Sequence, residues 1–184
     1  METALVIMML QGLLGAWDTL YYHELVCRLP AHARVVAGEL RLHALRDLVY
    51  GVLFLSLPFL TWQGMLAGAL VGLIALEVCI TIQDFNTEAV ERQPIGGVGN
   101  TERGLHLIMA VVYGFFLAHL APQVLAWSRL PTGFGLQEGV SWPVRSGCVF
   151  LGIGVLVSGA RDFGAAFGVR WLQQDLFGRR PPQG

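Results

Sequence analysis

The string Glu39-x-x-x-His43-x6-Tyr50-Gly51 recurs as Glu102-x-x-x-His106-x6-Tyr113-Gly114, each time at the head of a long apolar run. A carboxylate and an imidazole four residues apart share one helical face, and both groups are metal donors. Ionisable side chains are costly in a bilayer-spanning segment, so their presence there points to function. Two copies of one pair on two helices read as half-sites of a common centre.

Other acids fall into the same helical phase. Asp47 extends the Glu39–His43 stripe, and Glu77, Asp84, Glu88 and Glu91 form a stripe on the next apolar segment. Asp18 and Tyr22 share a face of the first segment, with His23 about 100° further round. Carboxylates crowded into a low-dielectric pocket repel one another and must protonate unless a cation joins them. Two divalent ions would balance Asp84, Glu39, Glu102 and one further acid, Asp18 or Glu88. Imidazole and carboxylate without thiolate suit iron, zinc or manganese, with iron expected. The candidate metal ligands are therefore Asp18, His23, Glu39, His43, Asp47, Glu77, Asp84, Glu88, Glu102 and His106.

Plainer readings stand beside these. Glu39 and Glu102 lie in first turns, where the helix dipole favours an acid without any metal. His23 is open between ligand, interfacial residue and proton relay. Asp47 and Glu77 are open between ligand, partner orienting a histidine, and, with Arg46, ion pair. Tyr50 and Tyr113 are the catalytic candidates, as donors to the carboxylates, or else packing anchors. Glu91 and Arg92 read as solvated helix-end residues, Asn100 as an N-cap, and Arg161-Asp162 as an ion pair closing the last helix. His32 and His119 read as structural or solvated.

Paired Glu/His ligands on two helices, facing acids on two others, resemble the ferritin-like di-iron carboxylate proteins. The resemblance implies Glu39/His43 and Glu102/His106 as paired ligands, with Asp18 and Asp84/Glu88 as the acids opposite. That family spaces its pair Glu-x-x-His; this chain spaces it Glu-x-x-x-His, which also keeps both groups on one face.

The elements that must position these residues are five apolar spans, Thr3–Val26, Gly38–Trp62, Met65–Glu91, Thr101–Trp127 and Trp142–Phe163. About 20 residues at about 1.5 Å each match a hydrocarbon core of about 30 Å. Spans one and two align with three and four: Gln11 with Glu77, Asp18 with Asp84, Tyr22 with Glu88. The expected fold is all-α, a single polytopic membrane domain whose first four helices form a bundle of two duplicated pairs. Repeat A covers about 3–62, repeat B about 65–127, the fifth helix about 142–163, and the tail 178–184 is expected to be disordered. Thr61–Gly64 should be a tight turn and Pro131–Pro143 an ordered or interfacial loop. All four polar helix ends fall on one side. Ten of the 12 arginines also fall there, against Arg129 and Arg145, so the N-terminus is expected outside and the C-terminus in the cytoplasm.

Composition agrees. The chain is 184 residues long, 54% hydrophobic and 14% charged, where a soluble domain carries about 25% charged residues. Mean hydropathy is +0.58. A net charge of −1 argues against a nucleic-acid partner. Cys27, Cys79 and Cys148 are scattered, giving neither a disulfide framework nor a thiolate zinc site. The N-terminal apolar segment lacks a basic leader and reads as a retained span. The expectation is a multi-pass protein of a bacterial inner membrane: a di-metal, expectedly di-iron, oxidoreductase acting on a hydrophobic or lipid-soluble substrate. The alternatives are a small b-type cytochrome with His43 and His106 as axial haem ligands, a zinc-dependent membrane hydrolase, and a metal or proton carrier. A homo-oligomer is compatible with all of them.

Overall fold

The computed structural model describes residues 1–174 and is mostly helical. The expected disordered tail, 178–184, lies outside the described residues. Helix α1 (Glu2–Trp17) continues as a π-helical stretch, Asp18–Val26. A 3-10 turn (Leu29–His32) leads to α2 (Ala37–Ser56); β1 (Leu60–Gln63), α3 (Met65–Glu91) and a short 3-10 turn (Gln93–Ile95) follow. Helix α4 (Asn100–Trp127), β2 (Gly133–Leu136) and α5 (Trp142–Ala166) complete the order.

Four segments are long and apolar enough to cross a membrane: Glu2–Val26, Met65–Glu91, Asn100–Trp127 and Trp142–Ala166. Helix α2 has 20 residues, the right length, but carries Glu39, Arg41, Arg46 and Asp47. It stops at Ser56, short of the expected Trp62, where Pro58 brings no backbone N–H to continue the helical ladder.

Helix α5 packs on both α1 and α2, α1 also packs on α4, and α2 on α3. Contact between α3 and α4 is sparse. The apolar core joins Leu5, Met8, Leu53, Phe54, Leu70, Phe116 and Leu120 at the end away from the acids. Beyond it, the Thr61–Gly64 connection and the Pro131–Pro143 loop pair as antiparallel strands, Leu60 opposite Leu136 and Gln63 opposite Gly133. The pairing satisfies backbone groups that a bare loop beside lipid would leave unmet. Gly64 makes the turn into α3 at φ +58, where a Cβ would sit 2.6 Å from the Thr132 Cα; only glycine fits.

Candidate metal centre

The polar ends of the helices meet at one end, and they meet in an ordered way. His43 Nε2 lies 3.3 Å from Asp84 Oδ2, and His106 Nε2 lies 3.3 Å from Asp18 Oδ2. Each histidine of one sequence repeat faces the aspartate that aligns with the other's. Glu88 approaches His106 Nδ1 at 3.4 Å and Glu39 approaches His43 Nε2 at 3.7 Å. Asp18, Glu39, His43, Asp84, Glu88, Glu102 and His106 are all buried. Eight of the ten candidate ligands, His23 included, are brought together.

His23 joins because of the π-helix. In an α-helix it would point away from Asp18; with i→i+5 winding, residues five apart come onto one side. His23 Nε2 is 3.4 Å from Asp18 Oδ2 and 3.9 Å from Glu102 Oε1, and its ring stacks on His43 at 4.6 Å between centroids. Donor atoms of Asp18, His23, Glu102 and His106 all lie within 4.8 Å of one another, and so do those of His23, Glu39 and His43.

Asp47 and Glu77 do not join. Asp47 packs against Gly159 of α5. Glu77 sits two turns deeper and accepts from Thr81 Oγ1 at 2.8 Å. Tyr50 and Tyr113 are deep as well: their rings meet edge to face at 6.1 Å and their hydroxyls face Glu77, not the donors at the helix ends.

Arg92 is the principal correction. Expected to be solvated, it is fully buried, and its guanidinium hydrogen-bonds both Glu39 and Glu102, the repeated glutamates. Burial alone would lower its pKa; the hydrogen bonds to Glu39 and the charges of Glu39 and Glu102 outweigh that and raise it. Its place was legible, since Arg92 follows Glu88 at i+4 on the same stripe. Glu91 is not a free helix end either: its Oε2 accepts from the Glu39 backbone N at 3.1 Å, capping α2. Asn100 opens α4 as a helical residue, behind Gly99, and gives no side-chain cap.

Four further residues take parts not foreseen for them. Arg46 binds Asp84 at 2.7 Å and not Asp47 as its partner of choice. Asp162 faces His43 Nδ1 at 3.6 Å, while its neighbour Arg161 pairs with the buried Glu24, so the two reach toward different partners. Glu24 carried no periodic signal; the π-helix puts it out of α-helical phase. His32 bonds the Arg28 carbonyl, and His119 the Phe115 carbonyl, as structural residues.

The donor set can be tested for a cation by charge and by unmet acceptors. Six carboxylates (Asp18, Glu39, Asp84, Glu88, Glu102, Asp162) meet two guanidinium groups (Arg46, Arg92), so the acids outnumber the arginines by four, a charge for imidazole protons or bound cations to balance. Asp18 Oδ1, Glu39 Oε2 and Asp84 Oδ1 are buried and accept no hydrogen bond among the described residues. Each such oxygen is expensive to leave unmet. Two divalent ions fit both observations.

Beside the donors lies a cavity of about 570 Å³, walled by residues of all five long helices. Asp18, Arg46 and His106 reach it; His23, Glu39, His43 and Glu102 do not line it. No protein-family model, curated protein or solved structure matches this chain. The functional argument therefore rests on this geometry.

Proposed function

We propose that this chain is an integral membrane oxidoreductase built on a two-metal, expectedly di-iron, centre and acting on a lipid-soluble substrate held in the cavity. The carrying observation is the reciprocal pair of His–Asp contacts, His43 with Asp84 and His106 with Asp18, whose buried carboxylates each keep an oxygen without a donor. Carboxylate and imidazole donors favour iron, manganese or zinc. Bound there, the ions supply redox or Lewis-acid chemistry.

The chain's own residues do the rest. Asp18, His23, Glu102 and His106 would hold one ion, and His43, Glu39 and Asp84 the other. Arg92 locks Glu39 and Glu102 in place by tying both to one rigid guanidinium fork. Asp162 at His43 Nδ1 and Glu88 at His106 Nδ1 orient the two imidazoles with Nε2 toward the aspartates. The apolar cavity excludes water from the face that Asp18 and His106 present.

On this reading α2 is the fifth span, its length about 30 Å and its charges turned toward the centre, and the first four helices are a duplicated bundle closed by α5. Arg46 and Arg92 act as internal counter-ions, so they leave the orientation argument. Arg28, Arg34, Arg41, Arg103, Arg161 and Arg170 still outweigh Arg129 and Arg145, keeping the N-terminus outside and the C-terminus in the cytoplasm. A haem between His43 and His106 is less well supported, because both nitrogens of His43 already face carboxylates. A zinc hydrolase would use the same donors, and the metal itself separates the two.

Elemental analysis of protein purified in detergent without added metal is the decisive test. About two iron ions per chain are expected, released together by His106→Ala. Folded protein that neither retains nor takes up iron, zinc or manganese overturns the proposal; zinc alone moves it to the hydrolase.

A further inference from the structure

The cavity has a second polar end, two turns below the metal donors. Gln11, Glu77 and Tyr113 all line it and are buried, at 6%, 2% and 8% exposure. Gln11 Oε1, Glu77 Oε2 and the Tyr113 hydroxyl complete no hydrogen bond among the described residues, although the Tyr113 hydroxyl faces Glu77 and Tyr50 lies beside both Gln11 and Glu77. Thr81 satisfies only the other oxygen of Glu77. A polar atom left unmet at such depth is costly. Three of them around one cavity indicate a partner from outside the chain.

The unmet atoms define that partner's chemistry. The Gln11 carbonyl and the Glu77 carboxylate accept, and the Tyr113 hydroxyl donates. A hydroxyl group donates once and also accepts, so it can answer one of the two acceptors together with Tyr113, which a carbonyl, able only to accept, cannot. The cavity wall is apolar, mostly aliphatic and small residues, with the aromatic rings of Tyr50, Phe54, Phe85 and Phe150 spread along it. Aromatic side chains favour a flat ring by offset or edge contact. The volume of about 570 Å³ falls inside the usual range for small-molecule sites, about 300–1,000 Å³. Leu20, Ile82 and Phe150 belong to the lining yet are more than half exposed, so the cavity opens sideways onto the apolar outer face. Glu77 and Asp84 are two turns apart on α3, about 10 Å. A ring whose hydroxyl rests on Glu77 therefore extends toward Asp18 and His106.

We propose that the cavity binds a lipid-soluble hydroxyaromatic molecule, of the phenol or quinol class. Its hydroxyl sits among Gln11, Glu77 and Tyr113, and its far edge is presented to the metal donors. This deepens the proposed function by naming the substrate class; binding stands on the cavity alone, and only the chemistry of the bound molecule rests on the metal reading.

The test uses 2-naphthol and naphthalene, which differ by one hydroxyl, with protein purified in detergent and partition into protein-free micelles subtracted. Fluorescence titration should show 2-naphthol binding at least about tenfold more tightly. Gln11→Leu and Tyr113→Phe should each cut that preference by about 2–10-fold, the worth of one hydrogen bond. His43→Ala lies outside the cavity lining and should lower metal content while keeping the preference. That variant separates the two proposals, since the preference survives failure of the metal reading. Equal binding of the two probes to the native protein overturns the inference even if no variant folds. A preference untouched in both Gln11→Leu and Tyr113→Phe overturns it as well.

Discussion

The two half-sites share a His–Asp contact, a glutamate held by Arg92 and a carboxylate at the histidine Nδ1, and they differ in what else surrounds the aspartate. In each, a histidine Nε2 stands 3.3 Å from an aspartate of the other repeat. At Asp84 the remaining neighbour is Arg46, a permanent cation at 2.7 Å, and Asp162 of α5 closes the back of His43. At Asp18 the remaining neighbour is His23, a neutral donor when deprotonated, and the cavity opens alongside. On the proposed duplication, the shared pair is the common element and the neighbours are where the two repeats differ. An aspartate already held by a guanidinium has less charge to offer an ion than one facing two imidazoles. On the proposed metal reading, the Asp18 half would be the stronger and more accessible site, and the Asp84 half the more fixed.

Arg92 joins the halves, and removing it should give the largest effect. Arg92→Met leaves Glu39 and Glu102 buried without their counter-charge, a loss of about 3–5 kcal/mol. Thermal unfolding in detergent should show a large drop in midpoint, recovered in part by Glu102→Gln in the same chain. A variant as stable as the native protein would mean that Arg92 does not bridge the halves.

Next comes the asymmetry itself. His106→Ala removes a donor from the four-residue cluster, and metal affinity should fall more than the roughly 10–100-fold typical of an outer partner's loss. His43→Ala should fall about tenfold, since its aspartate is shared with Arg46. Equal losses, measured by competition with a chelator, would erase the proposed difference between halves. Arg46→Gln sharpens it from the other side. Freed of its guanidinium, Asp84 should bind the second ion about tenfold more tightly, about 1.4 kcal/mol. Weaker binding instead would show that Arg46 holds Asp84 in the geometry the ion needs.

Much of the site was legible in the residue order alone. Helical periodicity placed Glu39, His43, Asp84, Glu88, Glu102 and His106 correctly because α-helical winding is regular through those segments. It misjudged His23 and Glu24, which lie in the π-helix, where a phase counted at 100° per residue no longer holds. It also set Asp47 and Glu77 among the converging donors, since phase fixes a face and not which neighbour that face meets. Arg92 was missed for a different reason. An arginine at a helix end is ordinarily solvated, and only the convergence of Glu39 and Glu102 from two other helices makes burial tolerable. That is tertiary information; the sequence showed only that Arg92 shares the Glu88 stripe, which fixes its face and not the two glutamates it meets.

The smallest effect concerns how each half starts its helix. Helix α2 begins under the Glu91 carboxylate, which accepts from the Glu39 backbone N, while α4 begins behind Gly99 with no side-chain cap. An acid at a helix N-terminus is worth about 0.3–1 kcal/mol. Glu91→Gln keeps the side chain's length and removes its charge, so the native fold should lose no more than that, and the loss should shrink as salt is raised. Gly38 reports the same contact sterically, because a Cβ there would meet the Glu91 carboxylate. Gly38→Ala should therefore destabilise the native chain but cost less in a Glu91→Ala background, where the obstructing group is gone. Additive losses in that double-mutant cycle would show that Glu91 does not cap α2, and the two helix starts would then be alike.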